Sequence, residues 1–381
     1  MFDTGRENTG KVAKWWRNID KQILFLFIFL FLFGLFFSFS STSSVIAEKM
    51  NKQTYFFFIK HLIFVSISLF LLVVISIQDK NRLLILLPYL FFLAFLLLAL
   101  VPVLGFEVKG SKRWLNIPFV PRFQPIELVK PLFVIFVSKI IMLDVKANIY
   151  KRYFYSFLVL LFIIMFLLNQ PDLGQSLLLM STWITMIFVS GFNMFVLLML
   201  GIVFLIFIAF LIFFFPGKFG YIFFRIKTFI NPKIGDNFQS QKAIDAIKEG
   251  GLSGQGMGEG ILKHKVPEAH TDYIIAVISE EFGAVFVIFI LIIFLFLSYK
   301  VLNKVFLEKD EFLKLALSGL ISLLIIQTFI HIGVNIRLLP TTGMTLPFLS
   351  YGGSSLIGSA IVAGIILNFT KKNSTRNFID E

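Results

Sequence analysis

The chain has 381 residues, of which 57% are hydrophobic, and a mean hydropathy of +0.88. No soluble globular domain hides that much apolar surface, so we expect an integral membrane protein. The absence of Cys excludes disulfides, thiol nucleophiles and thiolate metal sites, and four His residues argue against a His-rich metal site. The formal charge of +13 could indicate nucleic-acid binding. Loop Lys and Arg that orient a multi-span protein explain it more simply, so we expect no nucleic-acid partner.

Ten apolar segments could cross a bilayer of ~30 Å, which takes about 20 helical residues. They lie near 22–44, 56–77, 83–104, 126–144, 154–168, 173–191, 193–215, 273–299, 311–335 and 351–370. The first is too long for a signal-peptide core and lacks a convincing cleavage site, so it should remain as an anchor. The pattern predicts an all-α polytopic membrane protein with ten transmembrane helices, forming a single domain over 1–381.

The basic residues predict the orientation of this bundle. With the N-terminus in the cytoplasm, the short cytoplasmic segments carry more Lys and Arg than the short loops on the other side. Both tails, 1–21 and 371–381, are therefore expected in the cytoplasm. The long loop 216–272, between spans seven and eight, is then extracytoplasmic.

That loop contains three recognisable stretches. "GKFGYIFFRIKTFINP" places an apolar helical face at Phe219, Ile222, Phe223, Ile226 and Phe229, as in a helix lying in the membrane interface. "DNFQSQKAIDAIKEGG" predicts a second short helix that ends at its two glycines. No strand precedes "GGLSGQGMGEG", so a nucleotide-binding loop is disfavoured. A tightly turning backbone close to another part of the protein is the better interpretation.

The first polar cluster spans 109–130. Its loop carries basic residues, and Glu127 and Lys130 follow on one face of the fourth span. They could form a self-neutralising ion pair. Alternatively, Lys130 and a loop Arg could bind an anionic head group near the interface.

Two further clusters precede predicted helices. Asp172 in "NQPDLGQ" is suited to cap the sixth span, and Thr271 and Asp272 are suited to cap the eighth. Glu280 and Glu281 lie about 12 Å further along the eighth span at 1.5 Å per residue, pointing about 100° apart. Charge at membrane depth is expensive and usually functional. We expect one of the two to meet Lys130 or another polar group in the bundle.

The fourth cluster lies where spans nine and ten meet. Pro340, Gly343, Pro347, Gly352 and Gly353 break the chain there. Small residues follow at four-residue spacing, Ser354 with Gly358 and Ala360 with Gly364, and this spacing suits close helix packing.

Together, "FQPIELVK", "NQPDLGQ", "PEAHTDYIIAVISEEFG" and "LPTTGMTLPFLSYGGSS" resemble the signatures of the SEDS family (shape, elongation, division and sporulation) of bacterial peptidoglycan polymerases. The match covers nearly the whole chain in order. "KWWRNIDKQIL" and "TLPFLSYGGSSL" are more similar to the division branch, the FtsW proteins, than to the elongation branch, the RodA proteins. Ile126, His331 and Arg337 depart from the family's usual residues.

The resemblance implies transfer of a glycosyl group between lipid II molecules, forming an inverted, β-1,4 linkage. A hydroxyl nucleophile needs a base, and the family's essential carboxylate falls on Asp272. The leaving diphosphate needs cationic stabilisation. The expected substrate-binding residues are Arg122, Lys130, Glu127, Lys112, Arg113, Ser350 and Ser354, with Glu127 orienting Lys130. Glu280 and Glu281 are expected as buried organisers.

The resemblance also implies partners: lipid II, a class B penicillin-binding protein transpeptidase, other divisome proteins and membrane lipids. No metal site or cofactor is predicted, although a divalent cation could accompany a lipid diphosphate. The expected location is the bacterial cytoplasmic membrane at the division septum. A lipid II flippase is an alternative, because Lys130, Glu280 and Glu281 could line a polar path. A scaffold that only recruits a transpeptidase is another, but it needs no buried charges.

Overall fold

A computed structural model describes residues 10–41, 55–108, 111–118, 121–143, 149–231 and 238–372. The elements before the first long loop are α1 Lys11–Asn18, α2 Lys21–Ser41, α3 Phe56–Ile77, α4 Lys80–Leu104, β1 Gly105–Val108, β2 Ser111–Leu115, α5 Pro125–Ile141, α6 Ile149–Asn169, α7 Leu173–Val189 and α8 Met194–Phe214. They are followed by α9 Pro216–Ile230, α10 Phe238–Gly250, a 3-10 turn Leu262–Lys265, α11 Ile274–Leu307, α12 Glu311–Asn335 and α13 Gly353–Phe369.

Each of the ten predicted spans coincides with one of these helices, although positions 42–44 and 144 lie outside the described residues. Among the described residues, six helices are long and apolar enough to cross a membrane: Lys21–Ser40, Phe56–Ile77, Lys80–Leu104, Ile149–Asn169, Ile274–Leu307 and Glu311–Asn335. Helices α7 and α13 are apolar but shorter. The protein is therefore a mostly helical, polytopic chain, and the full count of ten spans stays a prediction.

The prediction of an all-α fold was wrong in one place. Strands β1 and β2 form an antiparallel hairpin between α4 and α5, and Leu115 continues it by bridging to Phe123. The strands have only four and five residues. Such short runs carry too little alternation to be recognised beside the long apolar helices.

Helix α13 lies against α3 and α5 in the interior of the bundle. A Cβ at Gly358 would stand 2.6 Å from the carbonyl oxygen of Glu127, and one at Gly364 would stand 2.8 Å from Ile75 Cβ. Any larger side chain would push these helices apart. The predicted packing role of these small residues is thus confirmed.

The predicted eighth span is not one continuous helix. Helix α11 breaks at Gly283, where φ is 81° and ψ is 173°. The part before the break packs against α10, which belongs to the long loop. The part after it, 284–307, is the apolar segment that continues the bundle.

The glycine-rich stretch forms hydrogen bonds with the backbone groups that this break leaves without a helical partner. Gln255 and Gly256 donate their N–H groups to the carbonyls of Glu280 and Glu281, at 2.9 and 3.0 Å. In return, the N–H of Ala284 donates to the carbonyl of Gly251 at 2.9 Å. Because buried backbone groups must be paired, the loop acts as the missing turn of α11.

This approach requires glycine. A Cβ at Gly250 or Gly254 would overlap the carbonyl oxygen of Ser279 or Glu281, respectively. The predicted tight backbone near another part of the protein is confirmed, and so is the end of α10 at Gly250. On α9, Ile222 is buried while Phe223 and Ile226 are exposed. Its position in the membrane interface stays a prediction.

Candidate functional site

A buried ion pair lies in the first turns of α5. Lys130 Nζ is 2.8 Å from Glu127 Oε2, and the two side chains are only 4% and 5% exposed. Gln175 of α7 donates to Glu127 Oε1 at 2.9 Å, and Lys130 donates to Gln327 Oε1 of α12 at 3.2 Å. The predicted pair therefore exists, and it joins three helices. In this setting the additional hydrogen bonds offset the cost of desolvating both charges.

The network extends into the segment between α12 and α13. Gln327 Nε2 donates to the carbonyl of Thr345 at 2.9 Å, and the Thr345 hydroxyl is 2.6 Å from that of Ser355. Ser354 accepts a hydrogen bond from the backbone N–H of Gln124 at 3.0 Å. The start of α13 is thereby fixed to the start of α5.

Asp172 caps α7, as predicted, by accepting from the N–H of Gln175 at 3.4 Å. Its Oδ2 also lies 3.2 Å from Gln124 Nε2 and 3.8 Å from Arg113 Nε. Burial raises the pKa of the Asp172 carboxyl above its usual value, against the lowering effects of Arg113 and the Gln175 N–H. Asp172 therefore holds its proton to a higher pH than an exposed carboxyl does.

Arg113 projects from β2 into this region. Its Nε donates to the carbonyl of Gln170 at 3.0 Å, and Nη2 donates to the carbonyl of Pro171. The hairpin is thus fastened to the turn between α6 and α7. The guanidinium of Arg113 then faces the segment that follows α12, at Gly343.

Asp272 and Arg113 converge on Gly343. A Cβ built on Gly343 would stand 3.5 Å from Asp272 Oδ2 and 3.9 Å from Arg113 Nη1. Gly343 has φ +68°, in the left-handed region that favours glycine. The absence of a side chain there leaves a small space between a carboxylate and a guanidinium.

Neighbouring side chains hold the backbone of Asp272. Asn335 Nδ2 donates to the Asp272 carbonyl at 3.1 Å, and Asn335 Oδ1 accepts from Ala276 N at 3.2 Å. Ser350 donates to the carbonyl of Thr271 at 2.7 Å. Thr271 and Asp272 do not occupy the N-cap position of α11: Tyr273 does, and its side chain forms no cap hydrogen bond.

The predicted site residues thus divide into groups. Glu127, Lys130, Arg113, Asp272, Ser350 and Ser354 belong to one connected region. Arg122 is exposed and stacks on Phe106 at 4.1 Å. Lys112 is exposed on β2 opposite Glu107. The contacts described for these two cations are therefore with the hairpin.

Glu280 and Glu281 form a separate buried centre, and of the two predicted alternatives the structure shows contact with other polar groups rather than with Lys130. Glu280 accepts the backbone N–H groups of Leu262 and Lys263, both at 2.6 Å. Glu281 pairs with the Lys263 ammonium and accepts from the Ser40 hydroxyl. Two carboxylates that point apart thus share one residue, because one uses its backbone and the other its side chain.

Sequence reasoning missed Gln175, Gln327 and Lys263. Gln327 is a lone amide in an apolar span, which is itself a signal of function or of buried hydrogen bonding. Gln175 lies one turn after Asp172 inside a motif already singled out. Nothing local distinguishes Lys263 from other loop lysines. Within the described ranges, no group of three His, Asp or Glu side chains is arranged to hold a metal ion.

These features define a polytopic helical membrane protein with a buried ionic network beside a carboxylate–guanidinium site. The model of the FtsW/RodA/SpoVE cell cycle protein family matches residues 21–375. The chain therefore belongs to this family, as its motifs indicated.

Relatives are similar over most of the chain. A Caulobacter vibrioides protein named probable peptidoglycan glycosyltransferase FtsW is 30% identical over 367 residues, covering 96% of this chain and 93% of that protein. A Trichlorobacter lovleyi protein of the same name is 36% identical over 286 residues, covering 73% of each chain.

Solved structures have the same fold. One, described as showing the structural coordination of polymerization and crosslinking by a peptidoglycan synthase complex, matches with a TM-score of 0.76 and 24% identity over 95% of this chain and 99% of that chain. The Thermus thermophilus rod shape determining protein RodA matches with a TM-score of 0.68 and 25% identity, over 96% and 99%.

Proposed function

We propose that this chain polymerises lipid II into β-1,4 glycan strands for septal cell-wall synthesis. It is a peptidoglycan glycosyltransferase of the FtsW type, and its named relatives favour FtsW over RodA. The observation that carries the chemistry is the convergence of Asp272 and Arg113 on the space at Gly343. One group can accept a proton there, and the other can stabilise a developing negative charge.

In this mechanism Asp272 is the general base. It takes the proton of the acceptor 4-hydroxyl while the hydroxyl oxygen attacks the anomeric carbon of the donor sugar. The bond from that carbon to the diphosphate breaks, and the electron pair leaves with the diphosphate. Attack opposite an α-linked leaving group gives the β linkage. Ser350 and Asn335 hold the backbone around Asp272 in place.

Arg113 is the cation best placed to stabilise the leaving diphosphate. Lys130 is already neutralised by Glu127 and hydrogen-bonded to Gln327, so it can bind diphosphate directly only if the ion pair opens. Its better supported role is to position α5 against α7 and α12. Arg122 and Lys112 are exposed and could meet a head group only before it reaches Asp272.

The lipid tail of the substrate explains why the enzyme is a membrane protein. We place the chain in the bacterial cytoplasmic membrane at the septum as a single domain, with tails 1–21 and 371–381 in the cytoplasm and loop 216–272 outside. A class B penicillin-binding protein and other divisome proteins are its proposed partners, as the motif resemblance implies. The proposed chemistry includes no step that depends on a divalent cation.

Purified chain, incubated with lipid II alone and with its transpeptidase partner, tests this proposal. Parental protein should form glycan ladders, whereas Asp272→Asn should form about 10²–10⁴-fold less while still binding lipid II. A flippase would need no base at Asp272. The protein would be a flippase instead if the Asp272→Asn variant translocated lipid II in vesicles and neither it nor the parental protein made glycan. Glu280 and Glu281 contact Leu262 and Lys263 rather than Lys130, so these contacts do not join the three residues into the polar path which that reading requires.

A further inference from the structure

A cavity of about 80 Å³ lies between α9 and the segment that follows α12. Two arginines, Arg225 and Arg337, line it together with Pro340 and Thr341. Arg225 Nη1 donates to the carbonyl of Thr341 at 3.2 Å. Since about 10–15 Å³ of such space is enough for one water molecule, the cavity has room for a small polar group.

The backbone at Arg337 is unusual. Leu338 N donates to the carbonyl of Gly333 at 2.7 Å, and Arg337 N donates to that of Val334 at 3.1 Å. This pair of bonds is a Schellman motif, which ends α12 after its C-cap Ile336. Arg337 has φ +58° at the position that glycine usually occupies. A non-glycine residue costs conformational free energy there, and such strain often accompanies a functional side chain.

The two arginines of the cavity have no carboxylate at ion-pair distance among the described residues, although Asp172 attracts Arg225 at longer range. In the part of the chain that the structure describes, neither Arg225 nor Arg337 forms an ion pair with a carboxylate. Two half-buried arginines that line one small space attract an anion into it. Guanidinium groups suit phosphate and carboxylate oxygens in particular, since they donate in a planar fork.

The cavity adjoins the candidate active site. Thr341 lines it, and Gly343, only two residues further, borders the space between Asp272 and Arg113. A substrate held at Asp272 would therefore reach the two arginines with a neighbouring part of the same molecule.

We propose that Arg225 and Arg337 form a subsite for an oxyanion group of the lipid-linked substrate. This inference rests on the proposed function. The anion is either a diphosphate oxygen or a carboxylate of the stem peptide, and both present the same chemistry to the arginines. Arg337 is the residue that sets specificity, because its side chain is kept at a position where glycine would fit the backbone better.

Binding of lipid II in detergent, measured in the Asp272→Asn background, tests the subsite without turnover. Arg337→Gln should weaken binding about tenfold, the loss expected for one charge-assisted hydrogen bond, and Arg337→Lys should recover part of it. Arg82→Gln is the matched control, because Arg82 is exposed and its ion pair is with Asp79 at 3.6 Å. Unchanged binding in Arg337→Gln would overturn the proposal.

Lipid II with amidated stem-peptide carboxylates distinguishes the two sources of the anion. If a carboxylate occupies the subsite, amidation weakens binding to the parental arginine and Arg337→Gln has no further effect. If the diphosphate occupies it, Arg337→Gln weakens binding of both substrates equally. Either result supports an oxyanion subsite. If the parental protein formed no glycan ladders, that result would contradict the proposed polymerase activity and would not contradict the subsite.

A third variant separates function from structure. Arg337→Gly removes the side chain and relieves the left-handed backbone. We expect a higher unfolding temperature together with weaker lipid II binding. A lower unfolding temperature with parental binding would show that Arg337 is structural.

Discussion

Glu127 and Lys130 form an ion pair that water barely reaches: the Oε2 to Nζ distance is 2.8 Å, and neither side chain is more than 5% exposed. Two glutamines from other helices complete their hydrogen bonds. The pair is therefore part of the bundle's packing as well as a source of charge near the site.

Replacing Lys130 with Met keeps the length of the side chain and leaves Glu127 buried without its cation. We expect a loss of about 3–5 kcal/mol in the free energy of unfolding. We also expect at least a tenfold fall in polymerisation, or ~1.4 kcal/mol of transition-state stabilisation. The double variant Glu127→Gln, Lys130→Met should regain stability without regaining activity. If ladder assays showed that activity recovers together with stability, the pair would be purely structural.

Asp172 and Asp272 should differ sharply when each is changed to Asn. Asn caps helices about as well as Asp, so Asp172→Asn keeps the start of α7 and loses the attraction to Arg113 and the oxygen that accepts from Gln124. We expect less than about a tenfold effect on glycan synthesis, well below the ~10²–10⁴-fold loss expected for Asp272→Asn. If the two losses exchange places, Asp172 is the base. Asp272→Glu, which displaces the carboxylate by ~1 Å, should be partly active at most.

The raised pKa of Asp172 adds a pH dependence. The attraction between Asp172 and Arg113 is present above the raised pKa and is lost as the pH falls through it. Part of the decline of parental activity on acidification should therefore be missing in Asp172→Asn. Parallel pH–rate profiles for the two proteins would contradict this origin.

Lys263 should be far more important for stability than an exposed lysine in a similar pair. Lys263→Met leaves Glu281 buried with Ser40 as its remaining partner, at a cost of about 3–5 kcal/mol. Lys314→Met is the control, since its pair with Glu311 is 32% and 67% exposed and should contribute at most about 1 kcal/mol. Thermal unfolding of both variants in one detergent measures the difference, and equal shifts would refute it.

Gly283 should tolerate no side chain. Gly283→Ala would place Cβ on the carbonyl oxygen of Leu252, so the glycine-rich loop would have to move away from the break in α11. Gly258→Ala is matched in φ, at +87° against +81°, but has open space around its Cβ. We expect only strain of about 1 kcal/mol at Gly258. At Gly283 we expect a larger loss in the free energy of unfolding, together with increased proteolysis of loop 250–260. Similar stability of the two variants would argue against the close contact.

The orientation predicted from loop charges can be checked directly. A reporter fused after Glu381 should be active only in the cytoplasm, because the positive-inside bias places both tails there. Its activity in the periplasm would refute the ten-span topology.

The sequence alone determined the helical segments of the bundle, since a run of about 20 apolar residues has few alternatives in a membrane. It also determined the family, because four motifs occur in the expected order. The cap at Asp172, the ion pair of Glu127 with Lys130 and the end of α10 are local features. Contacts within three or four residues follow directly from helix geometry.

Only the tertiary structure decided which distant groups meet. Lys263 pairs with Glu281 across a loop, Arg113 reaches Asp172 and the space beside Asp272, and Gly283 breaks a span that looks continuous in sequence. Each depends on how separate segments approach, and local periodicity carries no information about that. The break at Gly283 is stable only because a loop some thirty residues earlier supplies the missing backbone hydrogen bonds.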